Sequence, residues 1–282
     1  MYQGTTPTKF GQKPVAARLD PLRLHLCTVH PEELHSVDWE PPIPVLDQED
    51  FAAQGIDTST VVPGAPKVDA LGCCTADGGM AALSQLLGLN AFAGAATTIL
   101  GRTVDPTSPA LVQEAAIVTY HRTTDLTGDP AEEWPPTDCG SNESCVATFL
   151  EQLQLVGTTL TASSIMSLLQ LLQVRGVAVG GPWFNSWMQP DRKGFVDGDG
   201  SQAALKAAVA SGVAGGHERF ISSIEVIVLD RNGQVDLQKT VLRERNSWSK
   251  NWGDGGSYRT HASTHALLAR YEDWRQFQPK AA

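Results

Sequence analysis

Three side chains in this 282-residue sequence could together carry nucleophilic catalysis. Cys74 stands in Leu71-Gly72-Cys73-Cys74-Thr75-Ala76, His217 follows Gly215 and Gly216, and Asn246 opens Asn246-Ser247-Trp248-Ser249-Lys250-Asn251-Trp252-Gly253. A thiol reacts as its thiolate, so a nucleophilic cysteine needs surroundings that bring its pKa from about 8.5 down toward ~3.5–7.5. After Thr75 the residues Met80, Leu83 and Leu87 share one face of a predicted helix. Its first turn would offer Cys74 unpaired N–H groups and the positive end of the helix dipole. A histidine would supply the second influence by forming a thiolate–imidazolium pair. Each residue also has a plainer reading: Cys74 as a buried inert thiol, His217 as a surface side chain at a strand start, and residues 245–256 as a hairpin arm with its aromatics on the core.

The order of the three weighs against the plainer readings. Cys, then His, then Asn within Asn-Ser-Trp resembles the papain-like cysteine peptidases, in which a Gly-x-Cys turn opens a long helix and the Asn stands in an NSWG-x-x-WG motif. The stretch LGCCTA resembles the LGSCTA form of that turn, with Cys74 at the nucleophile position and Cys73 before it. The resemblance runs from about Val68 to about Tyr271. The GGHE stretch, the aromatics before it and the Pro-rich N-terminal arm are similar to compact papain-like proteins encoded by actinobacterial phages.

This resemblance implies an α+β, two-lobed fold with a helical N-terminal lobe, an antiparallel β C-terminal lobe and the cleft between them. It implies that Cys74 attacks an amide carbonyl, His217 takes and returns the proton, and Asn246 orients the imidazole. Trp248 would shield that contact from water, Gly72 and Trp252 would support the two motifs, and no cofactor is needed. Two positions depart from the pattern. Relatives carry a Gln six residues before the nucleophile, whose amide donates to the oxyanion; that position here is Val68. Losing one such donor costs ~2.7–4 kcal/mol, about 10²–10³ in rate, so Val68 implies weakened catalysis. Ser249 stands where the motif has Gly. Trp183, Phe184 and Trp187 fall where relatives line the substrate groove, with plain core packing as the alternative.

These residues must be positioned by helices first and strands second. Periodicity predicts further helices over Ala110–His121, Glu143–Leu155 (Val146, Leu150 and Leu153 on one face) and Ser163–Gln173, the last capped by Ser163 or Ser164 and ended at Gly176. Strand character follows at Val177 and Val179, over Phe220–Leu229 and over Val235–Leu242. Helices followed by strands indicate segregated halves of an α+β unit. Asp230-Arg231-Asn232-Gly233 is a turn signal between His217 and Asn246, which would bring the two onto neighbouring strands. Gly78 and Gly79 each weaken the first helix by up to about 1 kcal/mol relative to Ala, which implies close approach of a neighbouring backbone. Residues 1–66 hold nine of the 17 prolines and read as an arm on a 67–282 domain, its helical lobe at about 67–176 and its β lobe at about 177–275. One strand is expected at Leu22–Val29.

Composition narrows the function. A hydrophobic content of 41% allows one large core or two subdomains. A net charge of −10 argues against nucleic-acid or anionic-membrane partners, which require a basic face. There is no apolar signal region and no run of about 18 apolar residues, so the chain is expected to be cytoplasmic on synthesis, and possible association with a virion follows only from the phage resemblance. Five cysteines are too few for a disulfide scaffold. Cys139 and Cys145 could pair, or stay thiols in a reducing compartment. No metal is expected: Cys73 and Cys74 are adjacent, and no His lies at ligand spacing from Cys139 and Cys145. Asp197-Gly198-Asp199-Gly200 reads as a surface turn and His261 and His265 as surface or packing residues. The expected partner is a peptide or protein substrate, a peptidoglycan peptide included, with virion proteins as further candidates. The competing reading is a weak or inactive papain-like module with a structural or binding role in a phage particle or tail.

Overall fold

The computed structural model describes residues 30–128 and 130–280. The strand expected at Leu22–Val29, and Cys27 with it, lie outside the described residues. In chain order the elements are β1 (Val37–Asp38), α1 (Phe51–Gln54), α2 (Thr58–Val61), α3 (Cys74–Leu87), α4 (Leu89–Leu100), α5 (Pro109–Thr124), α6 (Glu143–Gln152), β2 (Leu160–Thr161), α7 (Ile165–Val174), β3 (Val177–Phe184), α8 (Gln202–Ala210), β4 (Val213–Val226), β5 (Val241–Arg245), β6 (Ser257–His261), α9 (Ala262–Leu268) and β7 (Asp273–Gln276). The α+β arrangement is as expected: helices dominate the first half and an antiparallel sheet the second.

Helix α3 is the centre of the helical half. Every residue from Cys74 to Ser84 is buried, because α4, α5, α6 and β4 all pack on it. Small residues make this possible. A Cβ on Gly78 would lie 2.9 Å from Glu218 Cγ, and one on Gly79 would lie 2.5 Å from Val146 Cγ1. The two glycines therefore admit neighbouring side chains, whereas the sequence suggested a neighbouring backbone. The surrounding helices begin where polar caps predict. Ser108 accepts from Leu111 N ahead of Pro109, Asn142 accepts from Cys145 N, and Ser164 forms a reciprocal box with Ser167. The helix expected to reach Leu155 ends at Gln152, followed by Gln154 with φ of 57°. Helix α4 had no counterpart among the expected elements.

The sheet runs β2-β7-β3-β4-β5-β6, with β1 added on β4. Strand β4 is 14 residues long and carries His217 in its interior, where the sequence had placed the histidine just before a strand. Its backbone is paired opposite Gly181 of β3. The Asp230–Gly233 turn joins β4 to β5, with Gly233 N–H bonded to Asp230 O at 3.0 Å.

The chain ahead of α1 crosses onto this sheet. Val37 pairs with Ile224, Trp39 N–H donates to Ser222 O at 2.7 Å, and Trp39 Nε1 donates to Leu172 O at 2.6 Å. The buried Arg245 donates to Pro41 O and Ile43 O at 3.0 and 2.6 Å. Prolines lack the N–H that a regular strand needs, and Arg245 supplies donors to carbonyls of that stretch instead. Further on, Ser249 N–H donates to Leu46 O and Gln48 N–H to Ser247 O, both at 3.1 Å. Phe51, Ile56, Val62 and Ala65 then enter the helical core. No described helix is long and apolar enough to cross a membrane.

Gly79→Ala is expected to lower stability by about 1–3 kcal/mol through overpacking, although Ala is the better helix former. Adding Val146→Ala should recover part of that loss. Chemical denaturation of the three chains checks this, and an undiminished Gly79→Ala protein contradicts it.

Candidate active site

The chain is pinned to present Cys74 as the first residue of α3. Tyr120 OH donates to Asp138 Oδ1 at 2.6 Å, and Asp138 accepts the Gly72 N–H through both carboxylate oxygens, at 3.1 and 3.0 Å. On the other side Leu71 N–H donates to Gln48 O at 3.1 Å. Cys74 thus meets the N-terminal end of a helix of 14 residues, where a thiolate is favoured by the orphan N–H groups and the dipole. Its Sγ accepts the backbone N–H of Glu218 at 3.4 Å. That amide belongs to the residue after His217, so the thiol sits directly on the histidine strand.

His217 is wholly buried, and its Nε2 lies 2.7 Å from Asn246 Oδ1. A carbonyl oxygen can only accept, so Nε2 carries the proton and Nδ1 the lone pair in the neutral ring. The Asn246 amide cannot be turned round, because Ser247 N–H also donates to Oδ1, at 2.8 Å. Trp248 lies nearly parallel to the His217 ring, with centroids 4.8 Å apart and planes 27° apart, and Trp183 meets it edge-on at 5.1 Å. This cover excludes water from the His217–Asn246 bond, which strengthens it electrostatically.

The aromatics form one cluster. Trp183, Phe184, Trp187, Trp248, Trp252 and Tyr258 are all buried together. Trp183 contacts Trp187, Trp248, Trp252 and Tyr258 at centroid distances of 5.4 to 6.4 Å or, for Trp248, 5.2 Å. Trp183, Phe184 and Trp187 are therefore the floor beneath His217 and not an open groove wall. Trp252 Nε1 is tied to Met188 O at 2.9 Å. The turn that follows needs its glycines: a Cβ on Gly256 would lie 2.5 Å from Val45 Cγ1. Ser249 sits at φ of 63°, the left-handed conformation that costs a non-glycine residue about 1–2 kcal/mol.

Val68 does not reach this site. Its N–H is held by Thr58 Oγ1 at 3.0 Å and its side chain packs against the helical core. A glutamine does come near. Gln48 is fully buried, and its Oε1 accepts from Ser247 Oγ at 2.8 Å, beside Asn246. That bond fixes the direction in which Nε2 donates. Gln48 lies 26 positions before Cys74 in sequence, and residues 49–70 intervene with α1 and α2.

Cys73 points into the helical half. Its thiol contacts Asp77 Oδ2 at 3.5 Å, and Gln113 Nε2 donates to Asp77 Oδ1 at 2.8 Å. Burial, together with the Asp77 charge, pushes the Cys73 thiol well up, so it is a poor nucleophile. Burial also raises the Asp77 carboxyl to about 8. Cys73, Cys74, Cys139 and Cys145 are all thiols. His265 is not at the surface: it lies in a buried ion network with Glu244, Glu272 and Arg219. Asp197 is likewise buried and accepts from His261 N and Thr264 Oγ1 at 2.7 and 2.6 Å, bracing the turn it belongs to. Among the described residues no group of three or more His, Cys, Asp or Glu could hold a metal ion.

Neither a protein-family model nor the sequence of a curated protein matches the chain. Solved structures do. The chain is similar to xylellain, a cysteine protease from Xylella fastidiosa, at 16% identity and a TM-score of 0.48, covering 96% of each chain. It is similar to recombinant stem bromelain precursor at 12% identity and a TM-score of 0.45, covering 97% of this chain and 78% of that one. The third is digestive procathepsin L 3 of the Tenebrio molitor larval midgut, at 13% identity and a TM-score of 0.43, covering 95% and 76%.

The Asp77 environment sets a pH dependence. A carboxyl raised from 3.8 unfolded to about 8 folded keeps a proton in the native state that the unfolded chain releases. Its contribution to stability is full below about pH 3.8 and is lost as pH rises through the folded value. Asp77→Asn should therefore flatten the decline of stability between pH 5 and 7 by up to about 1.4 kcal/mol per pH unit. Urea titrations at several pH values check this, and parallel curves for parent and variant contradict it.

Proposed function

We propose that this chain is a papain-like cysteine peptidase or amidase that opens amide bonds through an acyl-enzyme. The observation that carries the reading is the 2.7 Å bond from His217 Nε2 to Asn246 Oδ1, on a strand whose next amide donates to Cys74 Sγ. With Nε2 tied down, Nδ1 is the nitrogen that exchanges a proton with Cys74, and the pair rests as thiolate and imidazolium. Sγ attacks the carbonyl carbon, and the imidazolium delivers its proton to the departing amine. A water molecule then gives its proton back to Nδ1 while its oxygen displaces Sγ from the acyl group. Asn246 holds the ring through both steps, and Trp248 and Trp183 keep its hydrogen bond dry.

The oxyanion needs two donors. The Cys74 N–H at the start of α3 is one. We assign the other to the Gln48 side chain, in place of the donor that seemed to be missing at Val68. The support is its full burial, its amide plane locked by Ser247, and its backbone carbonyl bonded to Leu71 ahead of the nucleophile. Under this assignment Val68 no longer argues for an inactive structural module. The substrate class is a peptide or protein amide.

Treatment with a thiol-reactive epoxide at neutral pH, followed by intact mass, is expected to add one label to the parent and none at this position to Cys74→Ala. Gln48→Ala should lower turnover of an activated ester or amide by about 10²–10³, while Val68→Gln leaves it unchanged. Labelling at Cys73 with Cys74 spared, or a rate gain from Val68→Gln, would sink the assignment.

A further inference from the structure

Behind His217 lies a closed ring of four buried charged side chains. Arg219 Nε donates to Glu244 Oε2 at 3.0 Å and its Nη2 to Glu272 Oε1 at 2.6 Å. His265 closes the ring, with Nδ1 2.8 Å from Glu272 Oε2 and Nε2 3.1 Å from Glu244 Oε1. No member is more than 2% exposed. The remaining carboxylate capacity is filled by neutral donors: Tyr258 OH and Thr260 Oγ1 on Glu244, at 2.8 and 2.6 Å, and Trp274 Nε1 on Glu272, at 2.8 Å. Two cations and two anions sum to zero, and both imidazole nitrogens face acceptors, so His265 must be the doubly protonated imidazolium.

Such a ring is a poor way to gain stability. Desolvating four charges costs about as much as their attraction returns, and apolar residues of similar size often serve as well. What the ring does is fix Arg219, and Arg219 reaches the catalytic strand twice. Its Nη1 donates to the main-chain carbonyl of His217 at 3.3 Å. Its guanidinium stands 5.9 Å from the centroid of Trp183, whose edge meets the His217 ring. Space is kept for this at Gly181, opposite His217 in the register, where a Cβ would lie 2.8 Å from Glu272 Cγ.

We infer that the ring of Arg219, Glu244, His265 and Glu272 is the positioning unit of His217, with Arg219 transmitting it to the main chain and to Trp183. Arg219 and His265 touch no substrate and move no proton; they set where the imidazole points. The inference rests on the peptidase reading given above.

The test is the pH profile of alkylation at Cys74, followed by peptide mass, in the parent and in Arg219→Lys. Lysine keeps the charge and cannot reach both carboxylates and the His217 carbonyl at once. A displaced imidazole stabilises the thiolate less, so the acid limb of the profile is expected to move up by about one pH unit, a tenfold loss of rate at pH values below the parent's limb. The plateau above pH 9 should not move. An unshifted limb in a less stable Arg219→Lys protein overturns the positioning role alone. A parent whose Cys74 alkylates only as an ordinary thiol overturns the peptidase reading instead. Should the variant fail to fold, the ¹⁵N shifts of His265 in the parent decide: both nitrogens protonated from pH 5 to 9 supports the closed ring, and loss of a proton between pH 5 and 8 overturns it. A His265→Gln, Glu272→Gln double variant, which removes one charge of each sign, is expected to keep more of the low-pH limb than His265→Gln alone; the reverse order also overturns it.

Discussion

The contact on which the rest depends is that of the first turn of α3 with β4. A helix whose first eleven residues are all buried can lie this close to a strand only if its residues are small, and Gly78 is where Glu218 enters. The same approach brings Cys74 Sγ to the Glu218 amide. The Asp138 and Gln48 anchors on residues 71–72, the Ser247 bond to Gln48 and the aromatic floor all serve to hold that one apposition. The proposed site thus lies at the seam of the two halves, where neither half alone supplies Cys74, His217 and Asn246.

The local signals in the sequence were strong where a residue's own chemistry dictates its place. The cap at Ser164, the Asp230–Gly233 turn and the apolar faces of α3 and α6 could all be read directly. His217 on β4 and Asn246, the residue after the end of β5, also come together, since one hairpin separates them. What could not be read were long-range contacts. Gln48 lies on a segment that pairs with residues 247–249, and its approach to Leu71 depends on the fold of the intervening residues 49–70. Arg245 bonding to carbonyls of the Pro-rich stretch is a similar case. Gly79 gave a correct sign of crowding but not its source, because a missing side chain cannot say whether backbone or Val146 fills the space. His265 read as a surface or packing residue and not as a member of an ion network, because its partners, Glu244 and Glu272, are separated from it by a strand on one side and a helix end on the other.

Buried ionisable groups flank the site in two opposite conditions. In the ring behind His217, Glu244 and Glu272 are held below the usual carboxylate range by their cations despite burial, and His265 is raised to about 10. Facing the helical half, Glu218 and Glu143 have no hydrogen-bond partner at either oxygen among the described residues, and burial pushes both carboxyls well up. A raised Glu218 carboxyl beneath α3 would spare the proposed Cys74 thiolate a like charge next to it. The strand that carries His217 therefore has paired ions on its ring side and carboxyls with raised pKa on its helix side.

The central claim is that Cys74 and His217 rest as an ion pair, and thiolate absorbance near 240 nm as a function of pH tests it most directly. The account predicts a step in the parent well below pH 8.5, absent in Cys74→Ala, and a rise at higher pH in His217→Ala. A parent step that appears only at about pH 8.5 or above, unchanged by His217→Ala, would contradict it.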